Sequence, residues 1–397
     1  MTQISHQANP DVLAALAIDD PLGVATLTLA FADRVVPGRP AVHRVETELR
    51  RLGALPGVDR AQIQMSLSTL ERLLPAEPPP EGARGLVVFV GLATGATVTT
   101  ELQVPVPTDL VTGRHANVRP LLRALEVAQP VGVARLSHEG VQLLEQAGGV
   151  LTELWAETLP ELEGRSLVGP AHAHLRDVPG AAPGSHVGQQ RDLYERRHLG
   201  EEQRLLTAAA RRVAGEAATR GWRELVVADD PRLADAFVRG FTDADGVSLI
   251  PGLRLDRHGL TAAFQSQIEL LVERTRNRAA RALVHSIGEL AGPGGRGALG
   301  TDEVAAALTE GRVDTLVVHP TATIAGRSSP SGVLAGPTSS VVDGADELTE
   351  DTMLADAMIA RAYETGAHVV VCSPEVAEQG LVDQPVVALL RWGTAGA

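Results

Sequence analysis

Residues 177–184 (DVPGAAPG) run straight into 185–197 (SHVGQQRDLYERR), and this junction limits what the chain can build around it. Proline removes a backbone donor and fixes φ, and glycine loses the most entropy on ordering, so the first part suits neither a helix interior nor a central strand. The spacing predicts a mobile tip loop over 177–190, with Gln189 and Gln190 at its tip or exit, and a long arginine-rich helix over about 191–220. Glutamine carries two donors and an acceptor on a flexible stem and no charge. It is neither a nucleophile nor a general base; it positions a water or packs against a polar polymer.

The 397 residues provide for two or three domains. No apolar run approaches the ~18–20 residues of a membrane span, and MTQISHQANPDVL lacks a signal-peptide pattern, so a cytoplasmic protein with no membrane partner is expected. The single cysteine, Cys372, excludes internal disulfides. A net charge of -14 argues against indiscriminate coating of nucleic acid and leaves room for a local basic patch; no DNA partner is expected. All 35 basic residues are arginine, which fits a bias in genomic base composition better than selection for guanidinium chemistry. Aromatic residues at 3% disfavour an extended base-stacking platform.

Along the chain, 45–52 and 66–74 have helical periodicity, the run from Pro75 is a loop, 85–90 (GLVVFV) reads as a buried strand and 98–106 as an alternating one. Pro120 starts a short helix. From Val131, three apolar runs separated by HEG and GG predict a β-meander, with a further strand at 169–175. After the long helix come a buried strand at 224–228, a helix at 231–239, a strand at 247–250 and a helix over 261–290. The last part predicts a loop at 292–300, a helix capped by Thr301 with Asp302 and Glu303 in its first turn, and a strand at 314–319. A long Gly/Ser-rich mobile loop is expected at 321–349, a helix at 350–365, and strands at 367–372 and 386–390. The fold class is α/β (α+β) in three domains: an N-terminal α/β domain at 1–126, a central meander-plus-α/β domain at 127–260 carrying the tip loop 177–190, and an α/β sandwich at 261–397.

Several residues invite chemistry. Arg191, Arg196, Arg197, Arg204, Arg211 and Arg212 follow the tip, and 197, 204 and 211 are spaced by seven, near one helical face. Two readings stand: a phosphate-contacting stripe, or a solvated helix with intrahelical pairs to the interspersed acids. His172, His174 and His186 lie close in sequence, but no carboxylate or cysteine spacing completes a zinc pattern, so no metal or other cofactor is expected. The loop 292–300 lacks the Lys-Ser/Thr of a P-loop. Cys372 ends an apolar strand without a basic partner and reads as inert. The glycine spacing around Ser185 does not make a nucleophile elbow.

The order of these parts, with GQQRDLYERR (188–197), RELVVAD (223–229), ALGTDEVAAALTEGRVDTLVV (298–318) and VVALLRW (386–392), resembles the archaeal and eukaryotic class I release factor and Pelota superfamily. The likeness runs from about Val131 to the end and is closest to the bacterial branch, which includes the ribosome hibernation factor Balon and its mycobacterial relatives. It implies a central domain reaching toward the peptidyl-transferase centre from the A site, and a last domain similar to kink-turn-binding ribosomal proteins. It also implies ribosomal RNA and elongation factor Tu, or another translational GTPase, as partners. Arg191, Arg196, Arg197 and Arg204 would meet rRNA; Gly184, His186, Gly188, Gln189 and Gln190 would form the tip. The family's hydrolytic tip reads GGQ, whereas this chain reads VGQQ, placing a valine or a glutamine where a glycine is required. The first domain lacks the lysine and cysteine motifs that read stop codons. Two activities remain open: a hibernation-type factor that binds without hydrolysis, and a peptidyl-tRNA hydrolase or rescue factor in which Gln189 or Gln190 positions water.

Overall fold

The structure is a computed structural model and describes residues 9–31, 82–137, 139–158, 185–229, 231–242, 246–253, 262–339, 348–381 and 383–393; for 185–198, 229, 231, 252 and 253 it describes the backbone alone. The fold is mixed α/β. The chain divides into two compact units, Pro130–Val272 and Met1–Gln129 with Glu273–Ala397.

In the first of these, three antiparallel strands, β5 (Val131–Ser137), β6 (Gly140–Ala147) and β7 (Val150–Thr158), form the expected meander. Gly148 and Gly149 sit at positive φ in the second turn, which is why the two-residue GG connection reverses the chain there. Helix α3 (Ser185–Arg220) then leads to β8 (Glu224–Asp229), parallel to β5, and helix α4 (Pro231–Gly240) leads to β9 (Ser248–Leu253), parallel to β8. The sheet order is β7-β6-β5-β8-β9. One apolar cluster joins the sheet to α3 and α4; a second joins it to Phe264, Ile268 and Val272 of helix α5 (Ala262–Glu289). The sheet is covered on both faces, so β8 reads as the continuous apolar run typical of a doubly covered parallel strand.

In the second unit, β1 (Val24–Ala30), β2 (Gly85–Gly91), β3 (Thr97–Leu102) and β4 (Asp109–Gly113) form an antiparallel sheet of order β3-β2-β1-β4, flanked by helices α1 (Pro10–Leu16) and α2 (Arg119–Val127). A second sheet has the order β10-β16-β11-β15, from Gly297–Leu299, Val386–Leu390, Val313–Val318 and His368–Val371. Helices α6 (Gly300–Thr309) and α7 (Leu354–Glu364) contribute to the cluster on one side, while the end of α5 and α8 (Pro374–Gly380) contribute to another. Residues from both ends of the chain, from Val12 to Leu390, share one buried apolar cluster.

Several expectations need correction. The alternating strand ends at Leu102, before Val106. Helix α6 begins at Gly300, so Thr301 lies inside it; its N-cap is Leu299, whose N–H donates to Glu303 Oε2 at 3.0 Å. Segment 321–349 is not simply a loop. It contributes three short strands, β12 (Gly326–Ser328), β13 (Leu334–Ala335) and β14 (Thr349–Asp351), in a sheet of order β13-β12-β14. The helix expected from 350 therefore starts at Leu354, because Asp351 is pinned by hydrogen bonds from Ser328 Oγ (3.0 Å) and Met353 N–H (2.9 Å). The helices read at 45–52 and 66–74, the loop from Pro75 and the strand at 169–175 lie outside the described residues.

Candidate nucleic-acid interface

Helix α3 has 36 residues, about 54 Å at 1.5 Å per residue. It starts at Ser185, not near 191, so residues 185–190, expected in the tip loop, belong to the helix. Every proline of the junction lies before Ser185, and after it only Gly188 is a poor helix former. One glycine costs about 1 kcal/mol against alanine, which extension of an already nucleated helix offsets. Gly188, Gln189, Gln190, Arg191, Arg196 and Arg197 are thus on helical backbone, as is His186; their side chains, with Gly184, His172 and His174, lie outside the described residues.

From residue 199 onward the two faces of α3 separate. Leu206, Ala209, Ala210, Val213 and Ala217 are buried at the i, i+3, i+4, i+7, i+11 spacing of an amphipathic helix. They share a cluster with Leu136 and Leu143 of the meander, Leu225 and Val227 of β8, and Leu233 and Phe237 of α4. The approach of α4 is close enough to require glycine: a Cβ on Gly240 would lie 2.9 Å from Thr207 Cα.

Arg204, Ala208, Arg211 and Gly215 line the opposite, exposed face at spacings of four, three and four. Around Gly200 and Gly215 an added Cβ would meet nothing within 4 Å. Two guanidinium groups therefore rise from a face of small residues. The acids nearby do not neutralise them: Glu202 is buried, Glu201 is half-buried, and Glu216 pairs with Arg220 at 2.9 Å. Among the described residues neither Arg204 nor Arg211 forms an ion pair. Of the interspersed acids, Glu201 and Glu202 form no ion pair with Arg204 or Arg211 among the described residues, and the side chains of Asp192 and Glu195 lie outside them. Positions 190 and 197 fall on the same helical register as 204 and 211.

Arg212 behaves differently. Its guanidinium lies 4.2 Å from the ring centroid of Trp155 on β7, a cation–π contact between residues 57 positions apart in sequence, with no sequence signal to announce it. Trp222 donates from Nε1 to Glu145 Oε2 at 2.7 Å, and Arg220 reaches Glu145 Oε1 at 3.3 Å, closing the far end of α3 onto β6. Replacing Arg212 with Ala is expected to cost about 0.5–1 kcal/mol. Urea unfolding followed by tryptophan fluorescence measures it, and an unchanged midpoint would deny the contact any energetic weight.

The remaining candidates stay structural. Cys372 is buried, and burial pushes its thiol up to about 12, so no thiolate is available near neutral pH. Asp302 in the first turn of α6 accepts from Thr338 N–H (3.2 Å), Thr338 Oγ1 and Ser339 Oγ (2.7 Å), bonds that hold its carboxyl below the usual range against the opposing effect of burial. It latches the 336–339 turn. No helix among the described residues is long and apolar enough to cross a membrane.

No family model and no curated protein matches this chain. Solved structures similar to it include Archaeoglobus fulgidus Pelota (14% identity, 97% of this chain and 93% of that one, TM-score 0.33). An archaeal translation termination factor, aRF1, is 16% identical over 96% of each chain, with a TM-score of 0.23. Saccharomyces cerevisiae Dom34, described as a termination-like factor in RNA quality control that interacts with Hbs1, is 9% identical over 96% of this chain and 98% of that one, with a TM-score of 0.38. At such identities and scores these likenesses carry no functional argument.

Proposed function

We propose that the protein is a ribosome-binding translation factor of the hibernation type. It inserts the Pro130–Val272 unit into the ribosomal A site and does not read stop codons. The observation that carries this reading is the exposed face of α3. Among the described residues Arg204 and Arg211 stand unpaired beside small residues, while the opposite face is locked into the sheet. Arginine forks suit phosphate oxygens, and flanking glycine and alanine let a sugar-phosphate backbone approach closely. The sequence resemblance supplies the destination: Arg191, Arg196 and Arg197 continue the contact with ribosomal RNA, and Gln189 and Gln190 pack toward the peptidyl-transferase centre. A translational GTPase, such as elongation factor Tu, is the partner class that delivers it. The helical backbone over 185–190 favours a plug over the hydrolytic alternative, because a helix withholds the positive-φ freedom on which a GGQ tip relies.

Cosedimentation with vacant ribosomes tests the proposal. The parent is expected to pellet at moderate salt. The Arg204→Glu/Arg211→Glu variant should bind about tenfold or more weakly, and its log-log salt slope should flatten by about 2, for two lost phosphate contacts. A parent that stays in the supernatant, or a double variant that pellets like the parent, sinks the reading. In parallel, peptide release from stalled peptidyl-tRNA should be absent with the parent; release that Gln189→Ala or Gln190→Ala abolishes would reinstate the hydrolase.

A further inference from the structure

A second set of arginines surrounds the end of β16, within the unit formed by Met1–Gln129 and Glu273–Ala397. Leu390 N–H donates to Arg296 O (2.7 Å), Arg391 N–H donates to Arg312 O (2.8 Å), and Gly393 lies so close to the 292–295 loop that an added Cβ would be 2.2 Å from Gly294 O. Trp392 is held between these fixed points and is nonetheless 54% exposed. About half of this residue's surface is therefore open to solvent on a fixed backbone, and a tryptophan so placed offers a ring to a partner.

The charges beside it are not cancelled equally. Arg312 is neutralised by Glu310. Arg391 donates to Gly311 O (3.1 Å) and Thr365 O (2.8 Å), main-chain acceptors just past the ends of α6 and α7. Arg296 donates from Nε to Leu390 O (2.9 Å), which fixes its guanidinium plane; its two terminal nitrogens meet no acceptor among the described residues. The exposed Gly292-Pro293-Gly294 turn beside it has no long side chain to block an approach.

We propose that Trp392 and Arg296 form a binding site for an unpaired nucleotide of a single-stranded nucleic acid. The base stacks on the indole, and the phosphate takes the two free guanidinium nitrogens. The few aromatic residues of the chain rule out a long stacking platform, but one nucleotide needs one ring. This site is independent of the α3 reading and adds a second nucleic-acid contact to the protein.

The test is fluorescence anisotropy with a labelled ten-nucleotide RNA, and with the DNA of the same sequence to show which sugar is preferred. It is carried out on the full chain in the Arg204→Glu/Arg211→Glu background, which weakens the α3 contribution and holds it constant across the variants compared. That background is expected to bind at low salt, and adding Trp392→Ala should weaken binding tenfold or more. Trp392→Phe should retain most of it, and Arg296→Glu should weaken it while flattening the salt dependence. No binding in the background, or equal binding with and without Trp392→Ala, overturns the proposal. So does displacement of the oligonucleotide by a poly-glutamate peptide at equal concentration, which would assign the site to an acidic protein segment. Failure here leaves ribosome cosedimentation untouched, and failure of cosedimentation leaves this assay intact.

Discussion

At about pH 8, above the folded pKa of Asp356, Arg119→Met is expected to lower the unfolding free energy by about 3–5 kcal/mol, the loss typical of breaking a buried ion pair from one side. Arg119 is 2% exposed, and its Nε lies 3.1 Å from Asp356 Oδ1. The same guanidinium donates to Asn117 Oδ1 (3.1 Å) and Ala322 O (2.9 Å), tying α2 to the segment after β11 and to α7. Asp356 is completely buried, and neither carboxylate oxygen has a well-aligned hydrogen bond among the described residues. Burial pushes its pKa up to about 7, against the pull of Arg119 and with the charge of Asp351 adding to the rise. Without Arg119 the carboxylate has no counterion and must take up a proton.

The pH dependence follows with a definite sign. The folded pKa lies above the ordinary value of 3.8, so between about pH 4 and 7 the folded state holds the proton that the unfolded state has released. This contribution to stability is present below pH 4 and is lost as pH rises toward and through 7. Asp356→Asn keeps the shape and removes the titration. From pH 5 to pH 8 the parent should therefore lose about 2–3 kcal/mol relative to Asp356→Asn in urea unfolding. Curves for the two proteins that run parallel across this range would show that Asp356 does not titrate there.

The second large effect is expected at Phe237→Ala, about 3–5 kcal/mol. Phe237 is fully buried on α4, its ring centroid 6.2 Å from that of Phe241, in the cluster that seats α3 on the sheet. The close α3–α4 approach at Gly240 leaves little room for collapse around the lost ring, so a cavity should remain. Trp155 and Trp222 belong to or pack against the same cluster, so their fluorescence reports the transition. A loss below about 1 kcal/mol would mean that the cluster refills the space. Under the proposed function, a larger loss should also weaken cosedimentation with ribosomes, because the arginine face depends on α3 being docked.

Some of this was readable in the residues. Turn chemistry marked the meander: GG supplies the positive φ of the β6–β7 reversal, and the apolar runs on either side have strand length. Pro120 marks the first turn of α2, and the apolar 224–228 run marks β8. Cys372 reads as inert at the end of an apolar run, and it is buried. These are local signals, fixed by one residue's torsions or by an apolar run too long to leave in water.

The arginines were legible as a spacing of seven, but their exposure was not, because sequence spacing cannot say where neighbouring acids point. Only tertiary packing buried Glu202, drew Glu216 onto Arg220, set Arg212 over Trp155 and left Arg204 and Arg211 in the open. Arg119 looked like any other arginine until α7 and the segment after β11 closed around it. Strands β12 and β14 gave no local signal because they are three residues each and pair with one another across 21 to 25 positions, with two-residue β13 on the other side of β12. The sequence by itself determined most of the alternation of strands and helices and, with a single cysteine, the absence of an internal disulfide, since those depend on backbone torsions and residue chemistry. The tertiary structure alone decided which charges are cancelled and which face outward, since that depends on groups distant in the chain being brought within a few ångströms of one another.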